Sequence, residues 1–210
     1  MFERDNTPQW LVWARKIQAI AQSGLTYTEN EYDVERYNEL RNLAIEIVNH
    51  HLNHPLDQIS DIMVSETGYL TPKIDVRGVI FRDNTILLVQ ERVDGKWALP
   101  GGWAETGHSP TENVVKEVLE EAGLVVEPVR LLMLLDKEKH NHPPSLHHTY
   151  KCFLLCRIVG GEMKPGFETL DVSFFSRDNL PPLSEGRTTG GQISMAFSFK
   201  DNPEQATIVD

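Results

Sequence analysis

Residues 101–124 read GGWAETGHSPTENVVKEVLEEAGL, and three glutamates, Glu117, Glu120 and Glu121, fall within five positions. On a helix each residue turns about 100°, so spacings of three and four place all three on one face. Like charges at this spacing cost a few tenths of a kcal/mol per pair. A solvated acidic surface tolerates that cost, so the spacing alone does not decide a function. A divalent cation would remove the cost altogether. Hard ions such as Mg²⁺ and Mn²⁺ take oxygen ligands, and the LPGG turn ahead of the glutamates offers carbonyls to complete an oxygen shell. Several carboxylates plus one carbonyl make a site that keeps bound water and meets substrate phosphates.

The helix carrying the glutamates is well punctuated. Ser109 suits its cap, Pro110 its first position and Gly123 its end. Val115, Val118, Leu119 and Ala122 form the opposite stripe, ready for burial. Upstream, KIDVRGVIF and TILLVQER are apolar and β-branched, and Asp83-Asn84 between them predicts a hairpin. Downstream, VRLLMLLDKE, HHTYKCFLLCRIV and DVSFFSRDNL read as strands. The segment KHNHPPSLHH reads as a mobile loop whose histidines match no standard zinc spacing. TTGGQISMAFSF reads as a closing helix through Ile193, Ala196 and Phe197.

Ahead of this lie two predicted helices. The first begins at Thr7-Pro8, runs along Trp10, Trp13, Ile17 and Ile20, and stops at Ser23-Gly24. The second spans about residues 31–52, with Val34, Tyr37, Leu40, Ala44, Ile47 and Val48 as its stripe. A short helical turn and linker follow. Two such helices cannot bury both stripes alone, so they need the rest of the chain or a second subunit. The fold class expected is α+β, with a helical N-terminal domain over residues 1–66 and a mixed domain over 67–210.

The chain has 210 residues, 40% of them hydrophobic, and a formal net charge of -11. That charge disfavours broad binding of duplex nucleic acid, which needs basic patches. It does not exclude a phosphate substrate, because bound metal ions reverse the local sign. No apolar run approaches the roughly 20 residues of a membrane helix, and MFERDNTPQW lacks a signal peptide's apolar segment. Cys152 and Cys156 lie four apart on a predicted strand, roughly 13 Å from one another and beyond disulfide reach. Two unpaired buried thiols suit a reducing compartment, so a cytoplasmic protein is expected.

The 101–124 stretch resembles the signature of the Nudix hydrolases: glycine, five residues, glutamate, seven residues, then arginine-glutamate-apolar-any-glutamate-glutamate-any-glycine-apolar. Gly102, Glu117, Val118, Glu120, Glu121, Gly123 and Leu124 hold these spacings. Two positions depart: His108 replaces the first glutamate, and Lys116 replaces the arginine, keeping charge but losing the planar fork. The likeness, which extends to KWALPGGWAETG and the preceding strands, covers about residues 73–185. It implies a Nudix α/β/α sandwich with a mixed sheet, preceded here by a small N-terminal helical hairpin domain.

The resemblance also implies roles. Glu117, Glu120, Glu121 and the Gly101 carbonyl correspond to the holders of Mg²⁺ or Mn²⁺, and the reaction implied is cleavage of a pyrophosphate linking a nucleoside to a further group. The catalytic base comes from Glu117 or Glu121, or from a later loop in which Glu168 is the first candidate and Asp171 the second. Glu112, one turn after His108, and Glu105 are candidates to support the site, with Lys116 beside them. Arg187 is a candidate to clamp a phosphate. Trp103, Trp97, Tyr27 and Tyr32 are the aromatic faces available to a cationic group. The hairpin-plus-core arrangement resembles a bacterial subgroup acting on CDP-choline or ADP-ribose. CDP-choline, split to CMP and phosphocholine, is the first expectation. ADP-ribose or another nucleotide sugar, a lapsed ligand-sensing module, and RNA ends or oxidised nucleotides are the alternatives. A homodimer is expected.

Overall fold

A computed structural model describes residues 7–52 and 68–210, and its contacts divide the chain into two compact units. The boundary expected between residues 66 and 67, and the short turn and linker, fall outside the described residues.

The smaller unit is a helical hairpin of α1 (Gln9–Tyr27) and α2 (Glu31–Leu52). Leu11, Ala14, Ala44, Ile45 and Val48 form its small core, with Leu146 packed against it. Arg15 donates to the carbonyls of Ser145 and Leu146, tying that short segment to α1. Three expectations are corrected. Helix α1 passes through Ser23-Gly24 to Tyr27, because Gly24 lies where a Cβ would meet the Tyr37 ring at 2.3 Å. Its N-cap is Pro8, with no side-chain cap bond. Its buried stripe is Leu11, Ala14, Gln18, Ala21 and Gln22, which leaves Trp13 at 58% and Ile20 at 52% exposure.

The larger unit spans residues 73–143 and 147–210 and holds a mixed sheet of seven strands. These are β1 (Lys73–Arg82), β2 (Thr85–Glu91), β3 (Trp97–Ala98), β4 (Leu124–Asp136), β5 (Thr149–Gly161), β6 (Thr169–Ser176) and β7 (Ile208–Val209). Strand order is β3-β2-β1-β5-β4-β7, with β6 also on β2. β1 runs parallel to β5, in register from Lys73 with Thr149 to Ile80 with Cys156. It meets β2 only at the hairpin, Phe81 with Ile86 and Arg82 with Thr85. Asp83 turns that hairpin at φ +49°.

Strand β1 is buried without interruption from Asp75 to Ile80, as a strand covered on both faces must be. Val76, Ile80, Leu87 and Val89 face α3 (Pro110–Ala122) through Val114, Val118 and Ala122. Val79, Ile86 and Leu88 face α4 (Gly190–Asp201) through Ile193, Ala196 and Phe197. The alternating parity along each strand places one helix on each side of the sheet, which is the expected α/β/α sandwich. Each fully buried Val or Leu contributes about 1.5–3 kcal/mol, so a charged residue at Val118 would separate α3 from the sheet. Helix α3 carries a complete capping box between Ser109 and Glu112, and Gly123 closes it in the left-handed region at φ 70°. One part of its stripe is corrected: Val114 is buried, whereas Leu119 is 48% exposed. Cys152 and Cys156 are free and buried. No helix among the described residues is long and apolar enough to cross a membrane.

Candidate active site

A cavity of about 710 Å³ lies in the larger unit, where the 100–103 backbone, α3, the 167–168 loop and the 186–187 loop meet. Glu117, Glu120 and Glu121 line it with Gly101, Gly102, Trp103, Glu105, Lys116, Glu168 and Arg187. Most of the residues singled out from sequence are thus brought together. Glu112 is not: its carboxylate accepts from the Ser109 N–H and Oγ–H in the capping box. His108 is exposed in the loop before that box. Asp171 lies on β6 opposite Gln90, and its Oδ1 accepts from the Val172 N–H. Trp97 packs edge-on against Phe175 with centroids 4.7 Å apart. Tyr27 and Tyr32 are exposed on the helical hairpin.

The 100–102 backbone is laid along β1. Val76 N–H donates to the Gly102 carbonyl and Gly78 N–H to the Pro100 carbonyl, both at 2.8 Å. This ladder passes over the Gly101 carbonyl. Gly101 has φ +138°, and a Cβ there would lie 2.0 Å from the Val76 carbonyl oxygen, so only glycine fits. Its N–H donates to Glu121 Oε2 at 2.8 Å. At Gly102 a Cβ would come within 3.2 Å of Glu117 Oε2. The missing side chain lets that carboxylate lie close against the backbone.

The three signature glutamates differ in environment. Glu121 is buried, and burial pushes its carboxyl up to about 8; Arg77 and the Gly101 N–H oppose the rise, while Glu91 and Glu117 add to it. Burial also raises Glu117, opposed by Lys116 and Arg77. Glu120 is exposed, and its Oε2 accepts from Lys116 Nζ at 3.0 Å. Lys116 Nζ also donates to Glu105 Oε1 at 3.0 Å. Burial thus disfavours the charged forms of Glu117 and Glu121, and a bound cation would offset that cost. The donor set, carboxylates beside a carbonyl outside the ladder, fits a hard divalent cation.

Sequence reasoning missed Asp75, Arg77, Glu91, Lys137 and Phe167, which also line the cavity. Asp75 and Arg77 had a signal: charges at alternate positions inside an apolar strand are not left buried without a partner. Glu91 is buried at the end of β2, with Arg187 Nε 2.8 Å from its Oε1 at an angle outside hydrogen-bond geometry. Burial raises its carboxyl, with Arg187 and Arg77 opposing and Asp94 and Glu168 adding. Phe167 is 91% exposed, yet its backbone is pinned. Arg92 donates to the carbonyls of Phe167 and Thr169, Gly166 N–H donates to Thr169 Oγ1, and Thr169 Oγ1 donates to the Glu121 carbonyl.

The histidine loop is held rather than loose. His142 is buried between the Glu185 carbonyl and the Gln192 amide, His140 meets Asp210, and His148 Nε2 lies 3.2 Å from Asp136 Oδ2. Among the described residues, Asp136, Glu138 and His148 bring one metal-ligating atom each to within 4.8 Å of one another. Among the described residues the signature glutamates do not form such a group; Glu120 bonds to Lys116 and Glu121 to the Gly101 N–H.

Residues 71–196 match the NUDIX domain model, and residues 8–63 match the model described as "UDP-X-like, N-terminal oligomerisation domain". The chain belongs to the Nudix hydrolase family. This Nudix hydrolase is 48% identical over 202 residues to the Bacillus subtilis (strain 168) protein named "Putative ADP-ribose pyrophosphatase YjhB", covering 96% of this chain and 97% of that one. A crystal structure of an ADP-ribose pyrophosphatase from Streptococcus suis 89-1591 is 47% identical, covering 67% of this Nudix hydrolase and all of that chain, with a TM-score of 0.61. A UDP-X diphosphatase structure is 33% identical over 96% of this chain and 98% of its own, with a TM-score of 0.64.

Proposed function

We propose that the cavity is the active site of a divalent-metal-dependent pyrophosphohydrolase acting on a nucleoside diphosphate joined to a further group, with ADP-ribose first and UDP-linked compounds second. The observation that carries this reading is the charge of the cavity. Seven carboxylates and four cations line it, an excess of three negative charges with every group ionised. A diphosphate enters such a place only with added positive charge.

In this reading Glu117, Glu120, Glu121 and the Gly101 carbonyl hold the cation. When bound, Mg²⁺ or Mn²⁺ would neutralise the diphosphate and lower the pKa of water. Glu168, at the cavity edge, takes a proton from the attacking water. The new P–O bond forms as the bridging P–O bond breaks, giving a nucleoside monophosphate and a phosphate ester of the other group. Lys116, Lys137 and Arg187 face the diphosphate, and Glu105 holds Lys116 in place. Trp103, 51% exposed, and Phe167 offer apolar faces to the base. The names of the relatives support ADP-ribose ahead of the CDP-choline expected from sequence.

The described oligomerisation domain supports a homo-oligomer. Trp13, Ile20 and Tyr27, seven apart on α1 and each more than half exposed, form the stripe for a second copy. The test of function is incubation with Mg²⁺ or Mn²⁺ and a panel of ADP-ribose, UDP-sugars and CDP-choline, with monophosphate release measured. Release of AMP from ADP-ribose is expected. Ligand binding without release from any compound would overturn the reading.

A further inference from the structure

Asp75 and Arg77 on β1 also line the cavity. Arg77 is 3% exposed, and each of its three guanidinium nitrogens donates to protein. Nε and Nη2 donate to Asp75 Oδ1 and Oδ2 at 2.7 and 2.9 Å, and Nη1 donates to the Leu99 carbonyl at 3.0 Å. Two parallel bonds from a planar fork fix its orientation as a single bond cannot. Lys151 Nζ, on the neighbouring β5 and fully buried, donates to Asp75 Oδ1 at 2.8 Å. Asp75 is therefore shared between two cations.

The bond to Leu99 leads into the site. Leu99 precedes the ladder that lays Pro100 and Gly102 on β1. Gly101 sits within that ladder, so close that a Cβ would lie 2.9 Å from Arg77 Cα. Its N–H holds Glu121 Oε2. Contacts thus run from Asp75 through Arg77 and the Leu99 carbonyl to Gly101, and from Gly101 to Glu121. Lys116, which stands where the family signature has arginine, bonds instead to Glu105 and Glu120.

We propose that Arg77 is a positioning residue for hydrolysis: its fork, anchored by Asp75, sets the placement of the Gly101 backbone and of Glu121. The proposal rests on the reading above that these two groups hold the cation. Residues that orient metal ligands carry about 10–100-fold in metal affinity or activity.

The test uses the full chain and Arg77→Lys, which keeps the charge and loses the fork. Mn²⁺ binding is followed by the free-ion EPR signal, and kcat and KM are measured on ADP-ribose. Arg77→Lys is expected to weaken Mn²⁺ binding and lower kcat, each by about 10–100-fold, while KM for the nucleotide and the melting temperature stay near wild type. Asp75→Asn, which leaves Arg77 in place without its anchor, is expected to lower Mn²⁺ binding and kcat in the same way, and also to melt lower, because Arg77 and Lys151 stay buried without their carboxylate. Wild-type Mn²⁺ affinity and kcat in both variants would overturn it. If the wild type binds Mn²⁺ but cleaves no nucleotide, the hydrolytic reading falls separately, and Mn²⁺ affinity alone decides on Arg77.

Discussion

Glutamine at position 121 keeps the size of the side chain and an oxygen for the Gly101 N–H, and removes the titration. Burial raises the Glu121 carboxyl from its ordinary 4.5 to about 8, against the pull of Arg77 and Gly101. Between those values the folded protein holds a proton that the unfolded chain has released. Metal-free stability from this group is therefore full at low pH and is lost as pH rises. From about pH 5 to about pH 7 the loss is about 2–3 kcal/mol, or about 5–10 °C in melting temperature for a chain of this size. His142 moves within this window and Lys151 above it. Burial holds the His142 imidazole down at about 4 and the Lys151 ammonium at about 7. Both make stability rise with pH over the range in which they are neutral only in the folded protein. The quantity to measure is thus the difference between wild type and Glu121→Gln, by thermal melting in EDTA across that range. The wild type should lose about 5–10 °C relative to the variant, and Mn²⁺ at neutral pH should restore more of it in the wild type. Parallel melting curves with pH would refute the reasoning.

Three further outcomes are expected. Glu168→Gln should lower kcat by about 10²–10⁴, the range for a lost general base, with KM and Mn²⁺ binding little changed in steady-state and EPR measurements. Phe167→Ala should raise KM for ADP-ribose by about 5–150-fold, the equivalent of about 1–3 kcal/mol for one stacked base, without a matching fall in kcat. Trp13→Glu combined with Ile20→Glu should shift sedimentation from oligomer to monomer while leaving the helical circular dichroism signal intact.

What was legible in the sequence was local. Ser109, Pro110 and Gly123 delimit α3 through hydrogen bonds and dihedral preferences that involve only near neighbours, and the structure starts and ends the helix there. The spacing of Glu117, Glu120 and Glu121 is a property of helix geometry, and all three line one cavity. The less legible features depend on pairing between distant segments. Arg77 reaches the site because β1 pairs with β5 on one side and carries residues 100–102 on the other. Phe167 reaches it because Arg92 and Thr169 pin its loop. Arg92 lies 75 residues from Phe167, and the Glu121 carbonyl that anchors Thr169 lies 48 residues from it. Trp13 and Ile20 show a different limit: hydrophobicity identified α1 as amphipathic, but small residues at Ala14 and Ala21 form the closer contact, and the large ones are left outside.

The central claim is that the signature carboxylates hold the cation that admits a diphosphate. Anomalous diffraction at the manganese edge, on crystals grown with Mn²⁺ and a non-hydrolysable ADP-ribose analogue, tests it most directly. The account predicts manganese bonded to Glu117, Glu120, Glu121 and the Gly101 carbonyl, with the diphosphate beside it. Manganese bound at Asp136, Glu138 and His148 instead, with the signature glutamates empty, would contradict it.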